Sequence, residues 1–220
     1  MRKNAKFNIP LDNLDKARFQ GVGNYDIPMI QPKIADYDLN TKWIPWNYVS
    51  SFKDNPAHYG VHFFIHDYQF TRLWAQPDTY IERLRKFKYV LSPEFSIYTN
   101  MPPAMQIYNH YRKHWLGAYL QLKGVNIIPT ITWGLPQTFN FCYDGEPSGT
   151  VVAVSGVGCT GNGDEMDLFM MGYEAMKERL NPSVILFNGK IPDEIKDEVT
   201  PMERGYKLFA GKTPKSKEAQ

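Results

Sequence analysis

Short apolar segments rich in β-branched and aromatic residues alternate with helix-like segments along most of this chain. Five of them have the length of a single strand: residues 61–65, 89–91, 125–133, 150–154 and 183–187. Residues 78–87, 104–123 and 164–180, which lie between them, have helical spacing. Strands that are separated by helices pair in parallel through right-handed crossovers. The sequence therefore predicts an α/β fold of about five mostly parallel strands, either an incomplete β/α barrel or an open sheet.

The regions outside this alternation differ in composition. Residues 1–55 contain scattered prolines and no sustained hydrophobic period, which indicates an irregular N-terminal arm rather than helix or sheet, anchored by Trp43, Trp46 and Tyr48. Residues 56–206 form the predicted α/β domain, and residues 207–220 form a predicted flexible tail. A chain of 220 residues can bury one sizeable core, whereas two full domains would be cramped.

The charge balance limits the classes of partner. The net charge is +2, from 25 basic and 23 acidic residues, so there is no broad attraction to nucleic acid or anionic lipid. No apolar run approaches the ~20 residues of a membrane span, and the N-terminal sequence lacks the apolar run of a secretory signal. Cys142 and Cys159 are interpreted as thiols in a reducing compartment. We expect a cytoplasmic protein without a membrane partner.

Polar residues follow the predicted strands, where ligands of parallel sheets and β/α barrels bind. The positions selected by this rule are His66, Asp67, Ser92, Glu94, Thr130, Thr132, Trp133, Ser155 to Gly161, and Asn188. Carboxylates at Asp67, Glu94 and Asp144 are candidate catalytic acid and base groups, the pattern used to hydrolyse glycosidic bonds. The alternative is that each carboxylate caps a turn or pairs with an arginine such as Arg72 or Arg112.

Residues 156–161 fit the pattern G-x-G-x-x-G between a predicted strand and a predicted helix. In that context backbone N–H groups hold a phosphate, so Ser155, Gly156 and Gly158 are candidate binding residues for a phosphate-bearing small molecule or nucleic acid. The acidic start of the following helix argues against a dinucleotide, and no cofactor is assigned. A plain tight turn is an equal alternative. Cys159 is either a nucleophile or, as we favour, a buried thiol.

Two further residue sets have both a structural and a functional interpretation. His62 and His66 are four residues apart on a predicted strand, so they would share a face, and with Asp67 they include the ligand types of a metal site. Ordinary hydrogen-bonded histidines are the favoured alternative, and no metal is assigned. Asn109 and Arg112 lie one turn apart on an aromatic-rich helix. That helix carries either a core stripe or a base-stacking platform.

Two non-catalytic functions are also compatible with the sequence. A protein partner would be bound by exposed aromatic residues of the N-terminal region, namely Trp43, Trp46, Tyr48 and Tyr59. A nucleic-acid partner would require basic residues that share one face, namely Arg72, Arg83, Arg112 and Lys113.

Several short motifs, in order, carry a family resemblance over about residues 24 to 190. They are Val61 to Phe70, Ser92-Pro93-Glu94-Phe95-Ser96, Met101-Pro102, Ile107-Tyr108-Asn109, Trp115, Ile128-Pro129-Thr130, Trp133, Phe141 to Gly145, Val154-Ser155, Gly158 and Leu180-Asn181-Pro182. With these the chain resembles domain of unknown function 4417. The resemblance implies a protein of phages, prophages and other bacterial mobile elements, and it brings no catalytic residues with it.

Our leading hypothesis is an accessory enzyme that acts on a nucleotide, a sugar-phosphate or a nucleic-acid end.

Overall fold

Residues 12–34, 36–158 and 163–205 are described by a computed structural model of the protein. The predicted tail, the first eleven residues and the part of the glycine-rich loop from Cys159 to Gly161 lie outside these ranges. The described strands are β1 (Gly21–Val22), β2 (Ile27–Pro28), β3 (Lys42–Pro45), β4 (Tyr59–His62), β5 (Tyr89–Leu91), β6 (Ile127–Ile128), β7 (Val151–Ser155), β8 (Val184–Asn188), β9 (Thr200–Pro201) and β10 (Glu203–Arg204). The α-helices are α1 (Thr71–Ala75), α2 (Asp78–Leu84), α3 (Pro103–Leu122) and α4 (Gly163–Leu180).

Eight of the described strands form two parallel sheets. The larger sheet has five strands in the order β10-β3-β4-β5-β6, and the smaller has three strands in the order β7-β8-β9. Strands β1 and β2 form a separate antiparallel hairpin. The predicted α/β class with mostly parallel strands is confirmed. In the described residues these strands are hydrogen-bonded as two sheets and not as one closed barrel.

The two sheets are connected at two places. Thr130, just after β6, forms a single parallel bridge with Ala153 of β7, and the N–H of Ala153 donates to the carbonyl oxygen of Pro129 at 2.8 Å. On the other side, β9 pairs with the smaller sheet and β10 with the larger, and only Met202 separates them in the chain. The carboxyl ends of β4 to β7 consequently face one common region.

Each long helix covers one of the two sheets with its apolar face. Helix α3 begins after Pro102, where a proline is compatible with the first turn, and ends before Gly124, whose φ of +83° favours glycine. Its Trp115, Leu116 and Leu120 are buried in the core of the larger sheet. Helix α4 places Phe169, Tyr173 and Met176 in a second core beneath β7 and β8. Burying these apolar faces holds the helices on the sheets.

Three local expectations about strands were wrong. Strand β3 lies in the N-terminal region for which the sequence indicated no sheet. It is too short to show a period, and it is defined by pairing with β4 and β10 on its two sides. Strand β4 ends at His62 rather than at residue 65, and β6 occupies only two residues of the predicted 125–133. The division of the chain into arm, domain and tail remains a prediction.

Candidate functional site

A cleft of about 390 Å³ lies where the carboxyl ends of β4, β5, β6 and β7 converge. Its polar lining residues are His66, Gln69, Glu94, Ser96, Thr132 and Ser155. Its aromatic lining residues are Phe64, Tyr98, Trp133 and Phe169, and aliphatic side chains complete the wall. The volume is within the range of roughly 300 to 1,000 Å³ that is usual for small-molecule sites. This cleft is the candidate site.

Six of the residues selected from the sequence line this cleft. They are His66 after β4, Glu94 after β5, Thr132 and Trp133 after β6, Ser155 at the end of β7 and Val157 just after it. Their positions follow from the topology, because parallel strands deliver the residues that follow them to one edge of a sheet. Gln69, Ser96, Tyr98 and Phe169 also line the cleft, although the sequence had not selected them.

Glu94 has an unusual protonation equilibrium. Desolvation in the cleft raises the pKa of its carboxyl group to about 7, and a repulsive interaction with Asp67 acts in the same direction. A hydrogen bond with Thr132 and the positive charge of Lys113 oppose this rise. The carboxyl group is therefore present in both protonation states near neutral pH, which is the property required of a proton donor and acceptor.

Asp67 lies beside the cleft and fixes one of its lining residues. Its two carboxylate oxygens accept hydrogen bonds from the backbone N–H of Ser96 at 3.0 Å and from the Ser96 hydroxyl at 2.8 Å. Both oxygens are thus engaged by the loop after β5. Asp67 holds this loop against the loop after β4, while Glu94 faces the cleft from the same segment.

Asn109 and Arg112 of α3 support the same loop from behind. The side-chain amide of Asn109 donates to the carbonyl oxygen of Ser96 at 2.7 Å, and its oxygen accepts from the Arg112 guanidinium. The guanidinium lies 3.9 Å from the ring centre of Phe95. These two residues therefore order the wall of the cleft, and neither is among its lining residues.

Ser92 and Thr130 continue the pairing of β5 with β6 through their side chains. The Ser92 hydroxyl accepts from the backbone N–H of Thr130 at 2.8 Å, and the Thr130 hydroxyl donates to the carbonyl oxygen of Ser92 at 3.0 Å. Both residues are fully buried. Ser92 is therefore a structural residue below the cleft.

Asp144 is not brought together with Glu94. It is absent from the cleft lining, and its carboxylate packs against the β1–β2 hairpin, where a Cβ atom on Gly23 would lie 2.0 Å from Asp144 Oδ2. Its carbonyl oxygen lies 3.0 Å from Nε2 of His110. Burial raises the pKa of Asp144, and the positive charge of Arg179 partly opposes the rise. Its surroundings favour the structural alternative for this carboxylate.

The described part of the glycine-rich loop follows β7 directly. The N–H of Gly156 donates to the carbonyl oxygen of Asn188 at 3.0 Å, and the N–H of Val157 donates to the Ser155 hydroxyl at 3.3 Å. Gly158 has φ of +77°, a conformation that favours glycine. Both hydrogen-bonded amides are therefore used within the loop and by the adjacent strand.

His62, the last residue of β4, and His66, which follows the strand, do not share a strand face, so that expectation was wrong. The backbone leaves the strand after His62, and the N–H of Ile65 bonds to the carbonyl oxygen of Phe63 at 2.7 Å. His62 is buried, whereas His66 is exposed and stacks with Tyr68. Within the described ranges, no three His, Cys, Asp or Glu side chains are grouped in a way that could hold a metal ion.

A buried charged cluster under the cleft had not been identified from the sequence. The Lys113 ammonium group donates to Glu146 Oε1 at 2.5 Å and to the carbonyl oxygen of Thr130 at 2.9 Å. His114 Nε2 lies 3.0 Å from the same carboxylate oxygen. Burial alone would raise the pKa of Glu146, but Lys113 and His114 outweigh it and lower that pKa. The one indication of this cluster in the sequence was that Lys113 lies on the same helical face as His110 and Gly117.

The two non-catalytic alternatives lose part of their basis. Trp43 and Trp46 are buried, which leaves only Tyr48 and Tyr59 of the four aromatic residues partly exposed. Lys113 has no exposed surface, so it is not part of a basic stripe with Arg72 and Arg83.

Cys142 is also buried, and burial raises the pKa of its thiol to about 12. None of the described helices is long and apolar enough to cross a membrane.

Comparison with known proteins connects the chain to phages. The family model described as Domain of unknown function (DUF4417) matches residues 19–207. The Gene 1 protein of Mycobacterium phage L5 is 36% identical over 180 residues, which are 79% of this chain and 75% of that protein. The Gene 1 protein of Mycobacterium phage D29 is 32% identical over 179 residues, 79% of this chain and 63% of that protein. No solved structure shows a significant match.

Proposed function

The chain belongs to the DUF4417 family, which is associated with phages, and on that premise we propose that its cleft is the active site of a mobile-element enzyme. The proposed substrate is a nucleotide, a sugar-phosphate or a nucleic-acid end. The observation that carries the proposal is Glu94, whose carboxyl group has a pKa of about 7 and faces the cleft at the carboxyl ends of the strands. Perturbed pKa values of this kind are concentrated at catalytic sites.

Glu94 is the proposed general acid or base, and the residues around it have distinct roles. Thr132 interacts with its carboxyl group and sets its orientation. Asp67 acts as a positioning residue through the two hydrogen bonds from Ser96. Trp133 and Tyr98 provide the apolar wall against which a ring would pack. The position of the site is the one used by β/α barrels and open parallel sheets. We further propose that the enzyme acts in the cytoplasm of the host bacterium.

The test is a turnover assay with the full chain. Purified protein is incubated with nucleotides, sugar phosphates and oligonucleotides, and products are separated by chromatography at several pH values. E94Q should reduce turnover about a hundredfold or more, because general acid–base catalysis commonly contributes that much. The matched control is E178Q, since Glu178 is exposed on α4.

Two results would reject the proposal. Unchanged turnover in E94Q would exclude Glu94 as the proton-transfer group. An absence of turnover across all three substrate classes would exclude the proposed substrates. The proposal would be supported if the turnover rate of the wild-type protein depends on pH with a midpoint near pH 7 and E94Q lacks this pH dependence.

A further inference from the structure

The lining of the cleft narrows the part of the ligand that it recognises. Aromatic rings, the imidazole of His66 and uncharged polar side chains line it together with Glu94, and among the described residues no lysine or arginine does so. Two cations of this region are engaged elsewhere. Lys113 is fully buried against Glu146 and Thr130, and Arg112 lies over Phe95 while donating to Asn109. The described lining thus offers an anionic phosphate no cation of this kind.

Two backbone amides of the described part of the glycine-rich loop, those of Gly156 and Val157, are already hydrogen-bonded within the protein. The N–H of Gly156 is bonded to Asn188 and the N–H of Val157 to Ser155. A phosphate loop binds through backbone N–H groups that point at the anion. The observed bonding of these two amides is that of a structural turn, so neither N–H points at an anion.

The features of the cleft instead match a planar heterocycle. Trp133 is partly exposed in the cleft and packs on Phe169 with ring centres 5.3 Å apart. Tyr98 is 54% exposed at the same cleft. Aromatic side chains stack on the faces of nucleobases, and groups such as the carboxyl group of Glu94 bond to base edges. A volume of about 390 Å³ provides room for a base together with its ribose.

We propose that the cleft recognises the nucleobase of its ligand, by stacking on Trp133 and hydrogen bonding to Glu94, and that a phosphate on the ligand adds little affinity. This inference rests on the proposed function in one respect, since it concerns the same cleft. It deepens that function by choosing the nucleoside part of the substrate as the recognised group. A sugar phosphate without a base should bind weakly.

Isothermal titration calorimetry with the full chain tests the inference. The probes are adenosine, guanosine, cytidine and uridine, their 5′-monophosphates, and ribose 5-phosphate, each at low and high salt. At least one nucleoside should bind, and its monophosphate should bind within about threefold of it with little salt dependence. W133A should weaken binding about tenfold or more, W133F should weaken it less because a stacking ring is retained, and E178Q should leave it unchanged.

Three outcomes would overturn the inference. One is a monophosphate that binds at least about tenfold tighter than its nucleoside, with affinity that falls as salt rises. Another is that ribose 5-phosphate binds while no nucleoside does, and the third is that no nucleoside binds at all. If W133A fails to fold, E94Q tests the inference in its place, and nucleoside binding that is unchanged in E94Q would then overturn it.

The E94Q protein separates this inference from the proposed function. If the wild-type protein binds a nucleoside, if E94Q binds it more weakly, and if turnover at saturating substrate is unchanged in E94Q, the catalytic role of Glu94 is rejected while base recognition stands. Turnover that depends on Glu94 without any nucleoside binding would reject base recognition alone.

Discussion

The Lys113 ammonium group lies 2.5 Å from Glu146 Oε1, and neither side chain is exposed to solvent. Burying two charges is favourable only when each has a partner, because no water is available in the interior to solvate a charge that lacks one. Glu146 Oε2 has no hydrogen-bond partner in the described structure, so this carboxylate depends on Lys113 and His114 for its charge compensation.

Removal of one partner from this pair should be strongly destabilising. We expect K113M to lower the free energy of unfolding by about 3 to 5 kcal/mol, because an uncompensated carboxylate would remain buried. Urea denaturation measures the loss. K86M is the control, since Lys86 is exposed. The double variant K113M/E146L should recover much of the loss, and a double variant as unstable as K113M would contradict this account.

The stability of the protein should decrease as the pH falls below 6.5, in part because of His62. Burial, and then the nearby charge of Arg204, lower the pKa of His62 from 6.5 to about 4. The unfolded state therefore binds a proton first, and stability is lost between about pH 6.5 and 4, by about 3 kcal/mol in total. H62F should flatten the dependence of unfolding free energy on pH in this window. H58Q, which changes an exposed histidine, should not, and parallel curves for H62F and the wild type would refute the prediction.

The titration of Glu94 can be observed without a substrate. In protein labelled with ¹³C in the glutamate carboxyl groups, one resonance that is missing in E94Q should titrate with a midpoint near pH 7. The variant T132V should raise this pKa further, because the hydrogen bond with Thr132 lowers it. A midpoint that is unchanged in T132V would show that this hydrogen bond does not act on Glu94.

Gly172 controls the position of Trp133. A Cβ atom at Gly172 would lie 2.1 Å from Trp133 Nε1, so the indole ring would have to move. We expect G172A to cost about 1 to 3 kcal/mol in stability, although alanine is the better helix former, and to change the tryptophan fluorescence. G163A is the matched control, since a Cβ atom there meets nothing within 4 Å. A G172A protein as stable as the wild type would show that the ring relocates at no cost.

Local sequence patterns were sufficient where an element is long or sharply bounded. Strand β5 was predicted with its observed limits, because its three apolar residues lie between Lys88 and the pair Ser92-Pro93. Helix α3 was predicted for residues 104–123 and is observed as Pro103–Leu122. The proline at its start and the glycine after its end mark these limits. The loops after the strands could be placed because the apolar strand segments that precede them are recognisable in the sequence.

Features that depend on distant residues could not be predicted. Strand β3 exists because β4 and β10 pair with it, and the pairing of Lys113 with Glu146 joins residues 33 positions apart. A lysine in the sequence is expected at the surface, so its burial is visible only when the partner is known. The separation of Asp144 from the cleft likewise arises from packing against the β1–β2 hairpin.

The single bridge between Thr130 and Ala153 has a consequence for how the cleft responds to a ligand. His66, Glu94 and Thr132 belong to the side of the larger sheet, whereas Ser155 and Phe169 belong to the side of the smaller one. A bound molecule would contact residues of both sheets, which in the part of the chain that the structure describes are joined along this edge by a single β-bridge. Ligand binding should therefore protect the amides of β6 and β7 from hydrogen exchange together, because a ligand that contacts both sheets would oppose their local separation.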